Sequence, residues 1–269
     1  MSKPFLKWAG SKYKLARFIE THLPSRTRKR LIEPFAGSAA VSLVLEFDAY
    51  LLNDTNADLI GLFQTLKEQK QEFIGYARSF FTTENNESSR YYQLREQFNQ
   101  SRDRTERAAL FVYLNRHAFN GLCRYNSKGG FNVPFGKYKA PYFPEAEMQG
   151  FLQKADRIEL VCGDFQTALA SAGSDDLIYC DPPYVPLSET ASFTAYVQNG
   201  FNADDQRRLA TAAERAAKQS QGVLISNHDT PFTRELYRNA RLETIEVQRN
   251  IAAKGSSRQK VGEILAVYE

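Results

Sequence analysis

Cysteine is scarce in this sequence. Among its 269 residues there are three, Cys123, Cys162 and Cys180, far apart and without CxxC or HxxxH spacing. That argues against a disulfide framework or a structural metal, and a reducing cytoplasm is expected. No apolar run approaches the ~18–20 residues that a bilayer span requires. The basic start, MSKPFLKWAGSKYKL, has no apolar stretch or cleavage site of the signal-peptide kind. Internal repeats and low-complexity tracts are absent too. Hydrophobic residues make up 42% and charged residues 25%, which suits a chain with a full core.

Acid is missing locally. The net charge is only +4, yet residues 116–139 carry Arg116, Arg124, Lys128, Lys137 and Lys139 with no acid. Residues 247–262 carry Arg249, Lys254, Arg258 and Lys260, again with none, and residues 1–30 hold nine cations against Glu20. Basic clusters on a near-neutral chain suit a phosphate-bearing partner, because they displace its condensed counterions. A solvated basic face is the plainer alternative for any one cluster.

Short apolar runs at 31–35, 50–53, 158–162, 177–180, 222–227, 242–248 and 264–268 read as buried strands. Helical spacing lies between several of them, as at Leu15, Phe18, Ile19 and Leu23. It recurs at Leu209, Ala212, Ala213 and Ala216 behind a cap at Asn202. The alternation predicts an α/β fold with a doubly wound, mostly parallel sheet. Residues 57–144 break the rhythm. They read as helices over 57–80, 88–99 and 104–118, then the hairpin-like RYNSKGGFNVPFGKY. This predicts an inserted, mainly helical domain at 57–144 splitting a catalytic domain of 1–56 and 145–269.

Two motifs carry chemistry. Leu31–Ala40, LIEPFAGSAA, is a strand, a small-residue turn and a helix over 41–47, and Gly37 lets the backbone approach a ligand. Strand two ends in Asp54, which either accepts ribose hydroxyls or caps the helix starting near Asn56. Strand 177–180 runs into Asp181-Pro182-Pro183-Tyr184. Consecutive prolines fix φ and remove two donors, leaving carbonyls at the sheet edge between an acid and an aromatic. A planar substrate with an exocyclic amine would suit that group, with Asp181 and the Pro182 carbonyl accepting and Tyr184 stacking. His228 follows strand 223–226 and either lines the same edge or is structural. Cys180 reads as buried packing.

EPFAGSAA and DPPY, in that order around an insert, resemble the D12-class, S-adenosylmethionine-dependent adenine-N6 DNA methyltransferases of the Dam type. The likeness spans the chain, from FLKWAGSKYKL through NGLCRYN, FNVPFG and ISNHDT to VGEILAVY. It implies a class I methyltransferase fold, a target-recognition domain on double-stranded DNA and methylation of a flipped adenine in GATC. It also implies a bacterial or phage protein, a monomer in solution, with S-adenosylmethionine as cofactor and no metal or membrane. On matching positions it makes Asp181, Pro182 and Tyr184 catalytic. It gives Trp8, Lys12, Phe35, Gly37, Asp54, Asp164, Phe165 and Asp181 to the cofactor. DNA contacts fall to Lys7, Arg95, Arg116, Phe119, Asn120, Leu122, Arg124, Asn126, Asn132, Pro134, Lys137 and Tyr138. Arg124 is the expected guanine contact, Leu122 the wedge, and Arg95, Asn126 and Lys137 phosphate contacts. At least half the aromatics of the 116–139 stretch are expected to be core. Ala39 stands where relatives often carry a second glycine, and Lys137 where they can carry Arg. The alternatives are a cytosine-N4 methyltransferase and a catalytically impaired DNA-binding relative.

Overall fold

The computed structural model describes residues 2–24, 27–185, 200–248 and 260–269. Residues 249–259 of the basic stretch at 247–262 lie outside them. The chain divides into two compact units, one of Met1–Arg17, Ala36–Glu46 and Asp54–Cys162, the other of Phe18–Phe35, Phe47–Asn53 and Gly163–Glu269. These packing units cut the chain differently from the functional domains expected at 57–144 and around it. Helix α1 (Ala16–Thr21) straddles the boundary. Among the described residues no helix is long and apolar enough to cross a membrane.

The first unit is mainly helical. It holds α2 (Ala40–Val44), α3 (Ala57–Arg78), α4 (Ser88–Gln100), α5 (Arg104–His117), α6 (Glu145–Leu152) and the strand β3 (Ile158–Cys162). The three long helices fall within two residues of the spans predicted from periodicity. The starts of α3 and α5 are fixed by side chains: Asn56 accepts the Leu59 amide on α3, and Asp103 accepts the Glu106 amide on α5. Between them, Arg107 pairs with Asp58 at 2.7 Å and also donates to the Phe98 carbonyl. The face of α4 that carries Tyr91, Leu94 and Phe98 is buried, and Phe98 lies 6.1 Å from the Phe111 ring. Helix α3 is broken at Lys70, where φ is 49°.

In the second unit, β1 (Arg30–Glu33), β2 (Ala49–Asp54), β4 (Asp176–Cys180), β5 (Gly222–His228), β6 (Arg241–Gln248) and β7 (Lys260–Tyr268) lie in the order β2-β1-β4-β5-β7-β6. Pairs β1–β2, β1–β4 and β4–β5 are parallel, while β7 runs antiparallel to β5 and β6. Strands β4 and β5 are buried along their whole length, around the apolar runs Leu177–Cys180 and Val223–Ile225. Helices α7 (Phe165–Ala170), α8 (Ala203–Ala217) and α9 (Pro231–Leu236) complete the unit. The cap predicted at Asn202 is a full capping box with Asp205. Leu209, Ala213 and Ala216 of the expected stripe are buried, while Ala212 is half-buried and Gln206 and Ala210 join the buried face of α8. Because β1, β4 and β5 are parallel, Glu33, Cys180 and His228 end on one edge of the sheet. Ligands bind at that edge in open α/β sheets.

Candidate functional site

In the first unit the turn after β1 forms a cradle. Gly37 has φ +47°, and a Cβ there would come within 2.7 Å of Trp8 Nε1. Only glycine allows the indole to lie so close to this backbone. The Gly37 amide donates to Asp54 Oδ2 at 3.0 Å, while Asp54 Oδ1 accepts from the Asn56 amide at 2.9 Å. The cap of α3 is therefore Asn56, and Asp54 ties the turn to the start of that helix. Burial raises the Asp54 pKa, opposed by these backbone hydrogen bonds. Lys12 is buried and donates to the Gly10 carbonyl at 2.7 Å, and Ser11 meets Ser38 at 3.1 Å.

In the second unit Phe35 and Phe165 stack at 5.3 Å, and Phe201 meets Phe35 edge-on at 5.6 Å. Asp164 caps α7 through the Gln166 amide and pairs with Arg208 at 3.1 Å. The Arg208 guanidinium lies 5.1 Å from the Phe165 ring. Asn53 donates to the carbonyls of Pro34 and Gly163 at 2.9 and 3.0 Å, which ties the end of β1 to the segment before Asp164.

The DPPY loop leaves β4 in the same unit. Pro182 is buried, and Asp181 and Tyr184 are half-buried. Gln206 of α8 donates to the Pro183 carbonyl at 2.8 Å. The Val185 amide donates to Asn227 Oδ1 at 3.2 Å, and the Val185 carbonyl lies 2.5 Å from His228 Nδ1. The loop is thus held on both sides of Tyr184. The Tyr184 hydroxyl donates to Glu263 at 3.1 Å, and its ring meets His228 edge-on at 4.8 Å. Burial first, then Asp181, keeps that phenol protonated far above the usual tyrosine range. Of the two readings of His228, the structure supports the brace. Cys180 is fully buried, and burial pushes its thiol up.

The basic segment belongs to the first unit. Bridges at Tyr125–Phe131 and Ala118–Phe135 give it hairpin pairing, though not two long strands. Asn126 shapes the turn by accepting the amides of Lys128 and Gly130, each at 2.9 Å. Arg124 is exposed and donates to Asn132 Oδ1 at 2.7 Å. Phe131 is buried and Tyr125 bonds Asp58, while Phe135 packs on Tyr91 and Tyr138 lies under the Lys7 ammonium. Phe119 is different, 49% exposed. Asn120, beside it, is exposed with φ 54°, Leu122 is half-buried, and Pro134 and Lys137 are exposed. Arg95 donates to the Val133 carbonyl and lies over Tyr92. Lys7 is half-buried. Its backbone is held by Asn115 at 2.8 and 2.7 Å, and burial and Arg116 lower its pKa. Arg116 departs from expectation. It is 8% exposed, donates inward to the Phe5 carbonyl and lies over Tyr142, so it holds the N-terminal segment where a DNA contact was expected.

Residues 8–251 match the family described as D12 class N6 adenine-specific DNA methyltransferase. The chain belongs to that family. The DNA adenine methylase of Vibrio cholerae serotype O1 is 51% identical over 267 residues, covering 99% of this chain and 96% of that protein. The DNA adenine methylase of Escherichia coli K12 is 48% identical over 268 residues, covering 100% of this chain and 96% of that one. Among solved structures, precorrin 8w decarboxylase from Methanobacterium thermoautotrophicum superposes at a TM-score of 0.41 with 10% identity, covering 100% of this chain and 96% of that one. The protein is an adenine-specific DNA methyltransferase with an α/β fold.

Within this methyltransferase, Gln206, Asn227 and Glu263 brace the DPPY loop, and sequence reasoning named none of them. Their partners lie 23, 42 and 79 residues away along the chain, beyond any local motif. The usable signal was polar residues inside otherwise apolar elements, Gln206 in the buried stripe of α8 and Asn227 at the end of β5. Both are essentially inaccessible to solvent, and buried polar side chains need partners.

Proposed function

We propose that this methyltransferase takes its methyl group from S-adenosylmethionine and places it on N6 of an adenine turned out of a GATC duplex. The observation that carries the reading is the DPPY loop, an acid, two prolines and a tyrosine braced from α8, β5 and β7 where parallel strand β4 ends.

The residues fit the cofactor. Gly37 leaves the space a Cβ would fill beneath Trp8, and Asp54 is an acceptor-only carboxylate at which vicinal ribose hydroxyls can donate. Phe35 and Phe165 supply aromatic surface for a purine, with Asp164 alongside and Lys12 in the N-terminal segment. S-adenosylmethionine supplies, when bound, a methyl group already activated on a sulfonium.

The adenine amine is a poor nucleophile because its lone pair is delocalised into the ring. Asp181 and the Pro182 carbonyl each accept one amine hydrogen, which draws the nitrogen toward tetrahedral geometry. They also stabilise the positive charge that grows on it. The amine turns acidic only once methylated, so no strong base is needed beforehand. Extruding the base costs a few kcal/mol, and stacking on Tyr184 offsets about 1–3 kcal/mol. Residues 57–144 form the target-recognition domain in this reading. Arg124 reads a guanine, Leu122 wedges the stack beside Phe119 and Asn120, and Pro134 touches a thymine methyl. Lys7 reads the site's edge, and Arg95, Asn126 and Lys137 hold phosphates.

The test is plasmid from a methylation-deficient host expressing the protein, digested with enzymes that sense adenine methylation in GATC. Wild-type protein protects or sensitises every GATC site. Asp181→Ala abolishes methylation while duplex binding persists. Methylation of GATC by Asp181→Ala overturns the catalytic assignment, and methylation confined to another sequence overturns the site.

A further inference from the structure

The Tyr184 phenol donates to the Glu263 carboxylate at 3.1 Å. Glu263 stands on β7 directly opposite His228 of β5 in the antiparallel ladder, and the His228 ring meets the Tyr184 ring edge-on at 81°. His228 is fixed in turn by the Val185 carbonyl at 2.5 Å. The aromatic ring of the DPPY loop is therefore held at its tip by a carboxylate and at its side by an immobilised imidazole, both from neighbouring strands.

We propose that Glu263 is a positioning residue for methyl transfer, fixing the plane of the Tyr184 ring and enriching its π-face with electrons through the phenol–carboxylate hydrogen bond. The proposal rests on the reading that the extruded adenine stacks on Tyr184. The phenol oxygen lies on the axis about which a tyrosine ring turns, so the hydrogen bond anchors the tip of the ring. Because a phenolic O–H prefers the ring plane, it also favours one plane, which the His228 ring packed edge-on at 4.8 Å then holds. A phenol donating to an anion also carries more electron density in its ring than one donating to water, since hydrogen bonds polarise their donors. The stacked adenine gains positive charge as its amine is alkylated, and an electron-rich aromatic face attracts that charge. The interaction is stronger in the transition state than in the ground state, so it raises turnover more than substrate affinity. No bond to Glu263 forms or breaks during the reaction.

The experiment is a double-mutant cycle on the full-length protein with a duplex carrying one target site. It reads the single-turnover methylation rate, the Kd for the duplex and the melting temperature. Glu263→Ala and Tyr184→Phe each delete the same hydrogen bond, and each lowers the single-turnover rate about tenfold with the duplex Kd changed less than about twofold. Glu263→Gln, whose amide oxygen still accepts, falls between Glu263→Ala and wild type. The double variant Tyr184→Phe/Glu263→Ala is no slower than either single variant. A Glu263→Ala rate equal to wild type, or losses that multiply in the double variant, overturns the proposal. If Glu263→Ala melts well below wild type, Tyr184→Phe decides alone, and a wild-type rate for it overturns the proposal equally. Tyr184→Ala separates the two levels. A wild-type rate there refutes stacking on Tyr184 itself, whereas a slow Tyr184→Ala beside a wild-type Glu263→Ala refutes only the role of Glu263.

Discussion

Ala39 holds a conformation that suits glycine better. Its φ is 55° and ψ 33°, it is fully buried, and its amide closes the turn onto the Ala36 carbonyl at 2.7 Å. An L-residue with a Cβ costs about 1–2 kcal/mol in this left-handed region. Glycine would recover that strain, losing about 0.4–1 kcal/mol to the entropy of the unfolded chain and about 0.8 kcal/mol with the buried methyl. Ala39→Gly is therefore expected to be tolerated, with stability within about 0.5 kcal/mol of wild type, read as a nearly unchanged urea midpoint. A loss of about 2 kcal/mol or more would show that the left-handed turn carries no strain for alanine. The sequence marked Ala39 as a departure from the family pattern, but the physical content of that departure, a positive φ, is a property of the folded turn. Asp54 shows the same limit. Its position was legible at the end of a strand, whereas the way it shares its oxygens between Gly37 and Asn56 depends on how the turn folds back. Arg116 misled for a related reason. Charge in an acid-free stretch looks like a surface, yet this guanidinium turns inward to the Phe5 carbonyl.

At the scale of elements, what periodicity and composition encode was readable. Strands β1, β2, β4 and β5 announced themselves as short apolar runs, and α8 by its Asn202 cap. The run at 158–162, by contrast, forms a strand that exposes Glu159 and Cys162 where a buried one was expected. Proline shortened β1, which stops at Glu33 before Pro34 instead of reaching residue 35. The break in α3 at Lys70 has no proline or glycine to signal it. Helix α5 carries a consequence of burial that neither periodicity nor composition displays. Its residues from Ala108 to His117 are all buried, and the His117 ring stacks on Tyr113 at 3.9 Å while Nδ1 meets the Tyr113 carbonyl at 2.8 Å. Burial lowers the His117 pKa from 6.5 to about 4, with Lys7 adding to the effect. The unfolded chain takes up this proton near pH 6.5 and the folded chain only near pH 4. Stability is thus fully present above pH 6.5 and declines as pH falls through this window. Between pH 6.5 and 5 the loss attributable to His117 is about 2 kcal/mol. Urea unfolding at pH 7.5, 6 and 5 should follow that decline, and His117→Phe should flatten it. An unchanged pH slope in His117→Phe would assign the decline to other groups.

For the molecule as a whole, 35 cations balance 31 acids, so affinity for a polyanion depends on where the cations lie. The stretch at 116–139 keeps its five cations on one short segment of the first unit, and the segment's own hydrogen bonds leave them in unequal settings. Lys137 is exposed on a left-handed turn, a point charge suited to a phosphate. Arg124 is oriented by Asn132 at 2.7 Å, which fixes the guanidinium fork as base reading requires. Removing one phosphate contact lowers the slope of log K against log salt by about 0.9 and weakens all duplexes alike. Removing a base contact leaves the slope nearly unchanged and lowers discrimination between the target and a one-base-substituted duplex by about 1–3 kcal/mol. Lys137→Ala should do the first and Arg124→Ala the second, measured by fluorescence anisotropy on both duplexes at several salt concentrations. Asn132→Ala, which frees Arg124 without removing it, should reproduce part of the lost discrimination at the wild-type slope. If Arg124→Ala instead weakened both duplexes equally and flattened the slope, the arginine would belong with the phosphate contacts and the reading of guanine would pass to another residue.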